Sequence, residues 1–587
     1  MSFVAELKRR NVIRAGLAYL ALGWLLLQVA GLVIPAFGWP GWVLRSLVIL
    51  VALGFPVTLV LAWVFDFGPT GLKRDEETAS TEAGRPRGRT TDRVIVAALL
   101  AVVLVLVFDK VVLQGRRDAG SAAESGKTTA AVTVRPASIA VLPFVDMSQA
   151  HDQEYFSDGL SEELLAALAR LPQLHVAGRT SSFSFKGKDT DLKSIGEKLG
   201  VATILEGSVR KAGERLRVTA QLVNAADGFR LWSETYDREL TDVFAVQDEI
   251  AAAVVTALKV KLLPGAATDF GRTADPDAYL HYLRGRALVN HPAGADFRKA
   301  AVEFRKALDL DPGYALARVS LAGALGNAQP HADSLAQTAL DRRNALVEAE
   351  RAIAMAPDFG QAYAVRGHLR RMINWDWAGA EEDLSRALQM GSVDVDTHLW
   401  HALHLATLGR IPESLAALER RLELDPLSAT TWRYYGLYLS TAGRLDDART
   451  AQARALELAP DNRNSQYWVG VTELIAGRPE DARRAFERAF PAERLSGLAM
   501  AENALGNEAA AQKALRELID CCAKISAVLV AQVHARRGER DEAFAWLQRA
   551  YDAHEDRLMY IKTSPLLDGL RDDPRYAELL KKMNLPP

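Results

Sequence analysis

Cysteine is almost missing from this chain of 587 residues: only Cys521 and Cys522 occur, side by side in "IDCCAK". That excludes a disulfide framework and any CxxC or Cys/His zinc spacing. Two small, packed helix residues are the plain reading of the pair, with a vicinal disulfide as the alternative and an intermolecular bridge open to it outside the cytoplasm. Excess charge of either sign is also missing, with 71 basic against 73 acidic residues. The chain therefore carries no electrostatic signature of a nucleic-acid binder, and no nucleic-acid partner is expected. Nor is there a nucleophile elbow, a P-loop, a paired-carboxylate constellation or a metal-ligand spacing, so the expectation is no enzyme and no cofactor.

Long apolar runs are present. Ala15 to Ile34 and Ser46 to Phe65 each have the length at which an α-helix crosses a bilayer, and the "PAFGWPGWVL" turn between them carries Trp39 and Trp42. A third run, Val94 to Leu113, ends with Asp109 and Lys110 near its edge. A cleavable signal peptide fits the first run poorly because its apolar stretch is too long and two more follow. Basic residues cluster before the first run (Lys8, Arg9, Arg10, Arg14) and between the second and third (Lys73, Arg74, Arg85, Arg87, Arg89, Arg93). The positive-inside rule then predicts a three-pass protein of a bacterial inner membrane, with a cytoplasmic tail (1–14), a transmembrane hairpin (15–65), a cytoplasmic loop (66–93) and a third helix (94–113). Everything beyond is expected to be periplasmic. A polar linker (114–137) without period follows; its segment from Asp118 to Arg135 reaches about 23 Å as a flexible coil.

From Ser138 the pattern changes. "SIAVLPFVDMS" reads as a buried strand, and "SDGLSEELLAALARL" as a helix capped by Ser157 or Asp158. "LHVAGRTSSFSF" repeats the strand pattern, "LKSIGEKLG" is a short helix, and the stretch to "TYDREL" gives strands turning at "AGE" and "ADG" before the helix "VFAVQDEIAAAVVTALKVKLL". The order β-α-β-α-β-β-β-α predicts a small α/β domain over 138–263 with a mixed sheet and helices on one side. Ser181, Ser182, Asp158, Gly159, His151 and Asp152 invite a catalytic reading, but none has the required spacing, and capping or turn roles suit them better. The motifs "IAVLPFVDMS…EYFSDGLSEEL", "GRTSSFSFKGK", "LEGSVRKAGERLRVTAQLVNAADGFRLWSETYDREL" and "VFAVQDEI" together resemble the TolB/FlgO-type domain of bacterial membrane-anchored TPR proteins. Related domains occur in CadC-like regulators and beside adenylate cyclase modules, and "ELKRRNVIRAGLAYLALGWLLLQVAGLVIPAFGWP" looks like the membrane module that often precedes them.

Beyond Asp277 the chain turns to helical periodicity with an internal repeat. Gly409, Gly443 and Gly477 recur at steps of 34, as do Gly436 and Gly470, Ala448 and Ala482, Ala455 and Ala489, and Pro426 and Pro460. That period with small residues at fixed places is the tetratricopeptide signature, and it predicts an all-α solenoid of about eight units over 275–560 with a C-terminal cap at 561–587. First helices of such units line a concave groove. The repeat pattern places Asp396, Leu399, Leu403, Thr430, Arg433, Leu437, Asn464, Tyr467 and Val471 there, a mix suited to an extended peptide or amphipathic helix. His398, His401 and His404 lack an HExxH context and a companion carboxylate, so they read as core or rim residues. The expected function is a non-catalytic, membrane-anchored scaffold for a protein or peptide partner in the cell envelope. The alternative is a signalling receptor subunit related to CadC-like or cyclase-associated TPR proteins.

Overall fold

The computed structural model describes residues 135–586, apart from 151, 172, 259–270, 292–295, 329–334 and 392–394. Before 135 it describes Tyr19, Leu22, Leu26 and Val51 as single helical positions, and two strands, β1 (Phe65–Gly68) and β2 (Gly71–Arg74). Contacts divide the chain into two units, Met1–Thr129 and Ala130–Pro587.

In the first unit, β1 and β2 pair antiparallel with Phe65 opposite Arg74 and Gly68 opposite Gly71. The expected membrane topology is corrected here. Among the described residues no helix is long and apolar enough to cross a membrane. The runs 15–34, 46–65 and 94–113 lie outside the described residues except at the positions just named, and Phe65, expected to end the second helix, belongs to a strand. The three-pass inner-membrane assignment, with periplasmic domains, is therefore not upheld, and the fold reduces to a small mixed-sheet domain and an all-helical array. Hydropathy measures only the length of an apolar run, whereas "FDFGPTGLKR" has the turn residues and alternation of a hairpin.

The second unit begins with β3 (Arg135–Val141) and β4 (Val145–Asp146), then α1 (Glu154–Ala169), β5 (His175–Val176), α2 (Arg179–Phe183) and α3 (Leu192–Leu199). A meander of β6 (Val201–Ala212), β7 (Arg215–Asn224) and β8 (Arg230–Glu239) leads into α4 (Val243–Ala257). Strand order is β5-β3-β6-β7-β8, parallel through β3 and antiparallel in the meander, with β4 added parallel to β6. Ile139 and Val141 point to α1 and α4, while Ala140 and Leu142 point to a second layer containing Phe185, Ile195 and Leu199. Helices therefore cover both faces, not one. The physical cause is visible in "SIAVL", whose unbroken apolar run supplies side chains to both faces of its strand.

Among the described residues, eight antiparallel helix pairs follow. The first four are α5 (Pro276–Val289) with α6 (Phe297–Leu310), α7 (Ala315–Asn327) with α8 (Leu335–Met355), α9 (Gly360–Leu369) with α10 (Trp377–Gln389), and α11 (Val395–Thr407) with α12 (Ile411–Leu424). The last four are α13 (Ala429–Thr441) with α14 (Leu445–Leu458), α15 (Arg463–Ile475) with α16 (Pro479–Phe486), α17 (Pro491–Ala504) with α18 (Glu508–Cys522), and α19 (Ala527–Arg537) with α20 (Arg540–Asp552). A final helix, α21 (Pro574–Lys582), follows two 3-10 turns at Asp556–Tyr560 and Pro565–Leu570. The repeating glycines end first helices: Gly409, Gly443 and Gly477 have φ of +84°, +76° and +73°, which only glycine adopts without strain. Cys521 and Cys522, at the end of α18, are joined in a vicinal disulfide, so the alternative reading of the pair holds in this structure.

Candidate functional site

The α/β domain and the array share one continuous core. It runs from Ile139 in β3 through Leu164 in α1 and Tyr279 in α5 to Phe304 in α6. Gly159, a tempting residue in the sequence, marks the crossing of α1 over α5: a Cβ there would lie 2.4 Å from Leu283 Cδ2. Glu162 on α1 accepts from Arg179 (2.5 Å) and from Arg286 (2.9 Å) on α5, and Gln247 Nε2 donates to the Tyr279 hydroxyl (2.9 Å). Ser157 and Asp158 do not cap α1, which starts at Glu154; Asp158 instead pairs with Lys186 at 2.6 Å. Asp152 is exposed, and His151 lies outside the described residues.

A second junction lies at the "GRTSSF" stretch, expected as a strand and observed as the short helix α2 after Gly178. The Ser181 N–H (2.7 Å) and hydroxyl (2.5 Å) both donate to Asp425 Oδ1, in the loop after α12. The Leu427 N–H donates to Ser181 Oγ (2.8 Å), and the Gly178 N–H donates to the Leu424 carbonyl (2.6 Å). Ser181 is thus a clasp between domain and array. Ser182 beside it is buried, and its hydroxyl has no protein partner.

The candidate groove residues separate by depth. Asp396, Thr430 and Asn464, at the starts of α11, α13 and α15, are exposed; Arg433 is half-buried; Leu399, Leu403, Leu437, Tyr467 and Val471 are buried. Leu399, Leu403 and Leu437 are buried among α11 to α14, whereas Tyr467 and Val471 share a core with Leu566 of the chain's own segment after α20. Asp556 pairs with Arg342 on α8, and Arg557 with Glu493 on α17. Lys562 donates to the Leu408 carbonyl (3.1 Å), Thr441 Oγ1 to the Thr563 carbonyl (2.8 Å), and Gln532 Nε2 to Ser564 Oγ (3.1 Å) while its Oε1 accepts from Tyr467 (3.1 Å). Leu558, Met559, Ile561, Leu567 and Leu570 are buried in a core with Trp375 and Trp377. The segment therefore meets α11 and α13 at their C-terminal ends, through Leu408 and Thr441, and α17 and α19 near their N-terminal ends, through Glu493 and Val528. The segment after α20 lies outside the repeat period, so the spacing of 34 gave no sign of it.

The three histidines on α11 are held neutral by burial: His398 and His404 are each pushed down to about 4, His401 less far. Arg371 adds to the effect on His404, whose Nε2 faces Glu381 at 3.7 Å. At the start of the covering segment, burial pushes the Glu555 carboxyl up to about 7, although it accepts from the Val528 N–H (3.2 Å). Its folded value lies above the ordinary 4.5, so its contribution to stability is complete below that pH and is lost as pH rises through about 7. Urea midpoints should fall between about pH 5 and pH 8, and Glu555→Gln should flatten that slope; an unchanged slope in the variant would assign the dependence to another group.

Comparison with known proteins agrees with this division. Residues 135–253 match the family described as HilA/YgeH-like transcriptional regulator, second domain, and residues 399–463 and 436–494 match the tetratricopeptide repeat. A Rhizobium meliloti (strain 1021) protein named "Putative adenylate cyclase 3" is 41% identical over 186 residues, which cover 31% of this chain and 32% of that protein. The chain thus spans about a third of the length of this curated relative. Among solved structures, YrrB, a TPR protein with an unusual peptide-binding site, is 20% identical over 37% of this chain and 99% of its own, with a TM-score of 0.25. The human IFIT1 dimer with m7Gppp-AAAA is 14% identical over 53% and 80%, with a TM-score of 0.34. At these levels neither structure carries a functional argument. The chain carries a HilA-like domain followed by tetratricopeptide repeats in its C-terminal region.

Proposed function

We propose that this protein is a non-catalytic interaction scaffold whose open groove strip, at the N-terminal ends of α11, α13 and α15, holds a protein or peptide partner. The observation carrying this reading is that Asp396, Thr430 and Asn464 are exposed at the same position of successive repeats, 34 residues apart. A regular row of polar anchors suits an extended backbone, which offers its own polar groups at regular intervals. Arg433, Leu399, Leu403, Leu437, Tyr467 and Val471 then shape the floor rather than touch the partner first. The motif string beginning "IAVLPFVDMS" supports relating the preceding domain to the TolB/FlgO type as well.

The test is a photo-crosslinking residue placed at position 396, 430 or 464 of the full-length chain in cells, with position 484 on the outer helix α16 as control. One polypeptide captured at all three groove positions and not at 484 is the expected outcome. Equal capture at 484, or none at the groove, would overturn the reading. A second reading, a regulatory role beside a nucleotide cyclase, is favoured by the relative named as a cyclase. It is the one to adopt if the captured polypeptide makes cyclic nucleotides and its turnover changes with this protein.

A further inference from the structure

Arg371 is 2% exposed, yet its contacts among the described residues are to a hydroxyl and a thioether, and Arg433 lies over an aromatic ring. The Arg371 guanidinium has two long contacts, from one terminal nitrogen to Thr407 Oγ1 (3.4 Å) and Met559 Sδ (3.7 Å), and its Nε has no protein partner. Around it gather three phenols. Tyr434 and Tyr438 stack on α13 at 6.3 Å, and Tyr560 of the covering segment shares a hydrogen bond with Tyr434. Arg433 lies over the Tyr434 ring at 4.1 Å, and both arginines act electrostatically on all three phenols. The Tyr438 hydroxyl is buried without a protein partner. Arg433, Tyr434 and Tyr560 are only half-buried, so the cluster has a buried floor and a rim that meets solvent.

A buried guanidinium is costly and cannot escape by losing its proton. Neutralisation must come from an anion, either an ionised phenol or a bound ion. The backbone supports a functional role: Arg371 is carried inward by a π turn, Arg370–Asn374, that ends at Trp375 with φ +50°. Such turns and left-handed non-glycine residues concentrate at functional sites. We propose that Arg371, Arg433, Tyr434, Tyr438 and Tyr560 form a site for a small doubly charged oxyanion of the phosphate class. Two cationic charges match a dianion, and divergent guanidinium and phenol donors match several oxygens better than the two of a carboxylate. The covering segment forms one wall through Met559 and Tyr560, and the candidate ligands are a free ion and the terminal phosphoryl group of a small molecule. Burial alone would raise the Tyr434 phenol; Arg433, the hydrogen bonds from Tyr560 and Arg433, and the charge of Arg371 outweigh it and hold Tyr434 below the usual tyrosine range. That marks the local potential as positive.

The experiment is calorimetric titration of the full-length protein with inorganic phosphate, with glycerol phosphate as the second arm and sodium chloride at matched ionic strength as control. Saturable binding of phosphate but not chloride is expected, weakened roughly tenfold or more in Arg371→Met and in Tyr438→Phe. Tighter inorganic phosphate identifies the free ion as ligand, and tighter glycerol phosphate a phosphoryl group. Absence of saturable binding to either would overturn the proposal, as would an affinity unchanged in both variants. So would a phenolate absorbance near neutral pH that phosphate leaves unaltered, since the charge would then be met from within. Tyr438→Phe, which keeps the ring and its packing, decides the matter should Arg371→Met not fold.

Discussion

Trp377→Ala is expected to lower stability by about 3–5 kcal/mol and to free the C-terminal segment from the array, which makes it one of the two most damaging single changes considered. Trp377 opens α10, and its indole is 5% exposed in the core with Leu558, Met559, Ile561 and Met583. Truncation removes the apolar packing and leaves a cavity that the surrounding helices fill only in part. It also removes a buried hydrogen bond, because indole Nε1 donates to the Met583 carbonyl at 2.7 Å. Trp377→Phe separates the two effects by keeping most of the ring volume while leaving that carbonyl unmet, for about 1–3 kcal/mol. Limited proteolysis of the Ala variant should then cut first at Arg557 and Lys562, whose partners on α17 and at the end of α11 no longer hold them. Equal losses in the two variants would show that the carbonyl contact, not packing, fixes the segment.

How much of this was legible in the sequence depended on whether a feature repeats. The step of 34 among Gly409, Gly443 and Gly477 pointed to the repeat, and the structure adds the reason these three recur: each follows a first helix in a left-handed backbone that demands the same residue each time. Gly506 and Gly538 adopt the same conformation, at φ +80° and +79°, but they fall off the period and carry no repeat signal. The element order of the α/β domain was also legible, through alternation and turn residues. "GRTSSF" was misread as a strand because its helix depends on a contact 244 residues away. No local pattern encodes that. The candidate groove residues were placed by period alone, and period says nothing of depth or of the segment after α20, whose Leu566 packs with Tyr467 and Val471. Leu437 lies at 1% exposure among side chains of α11 to α14 and Val471 at 0% in a core that includes Leu566, while Thr430 and Asn464, about two helix turns earlier, remain open.

The long-range contact itself supplies the other large prediction. Asp425 is the middle residue of an "LDP" stretch that also occurs at Asp311, and the two residues separate by role: Asp311 Oδ1 accepts from the nearby Gly313 N–H (2.8 Å), whereas Asp425 Oδ1 accepts twice from Ser181. Asp425 is 1% exposed, so Asp425→Ala strands a buried N–H and a buried hydroxyl in α2, and a loss of about 2–4 kcal/mol is expected. Asp425→Asn retains an accepting oxygen in the same place and should recover most of it. Ser181→Ala removes one bond to Asp425 and the acceptor for the Leu427 N–H, and should fall between the two. Because both changes break the same bond, Ser181→Ala and Asp425→Ala should be non-additive, with a coupling of about 1–3 kcal/mol in a double-mutant cycle. Additive losses would mean that the carboxylate is held by some other group and that the clasp does not join the domain to the array. A measured coupling would instead explain why Gly178 must be glycine. Its amide donates to the Leu424 carbonyl at 2.6 Å, and a Cβ there would lie 2.8 Å from the Asp425 side chain. Gly178→Ala should therefore push the two elements apart and reproduce most of the Asp425→Ala loss.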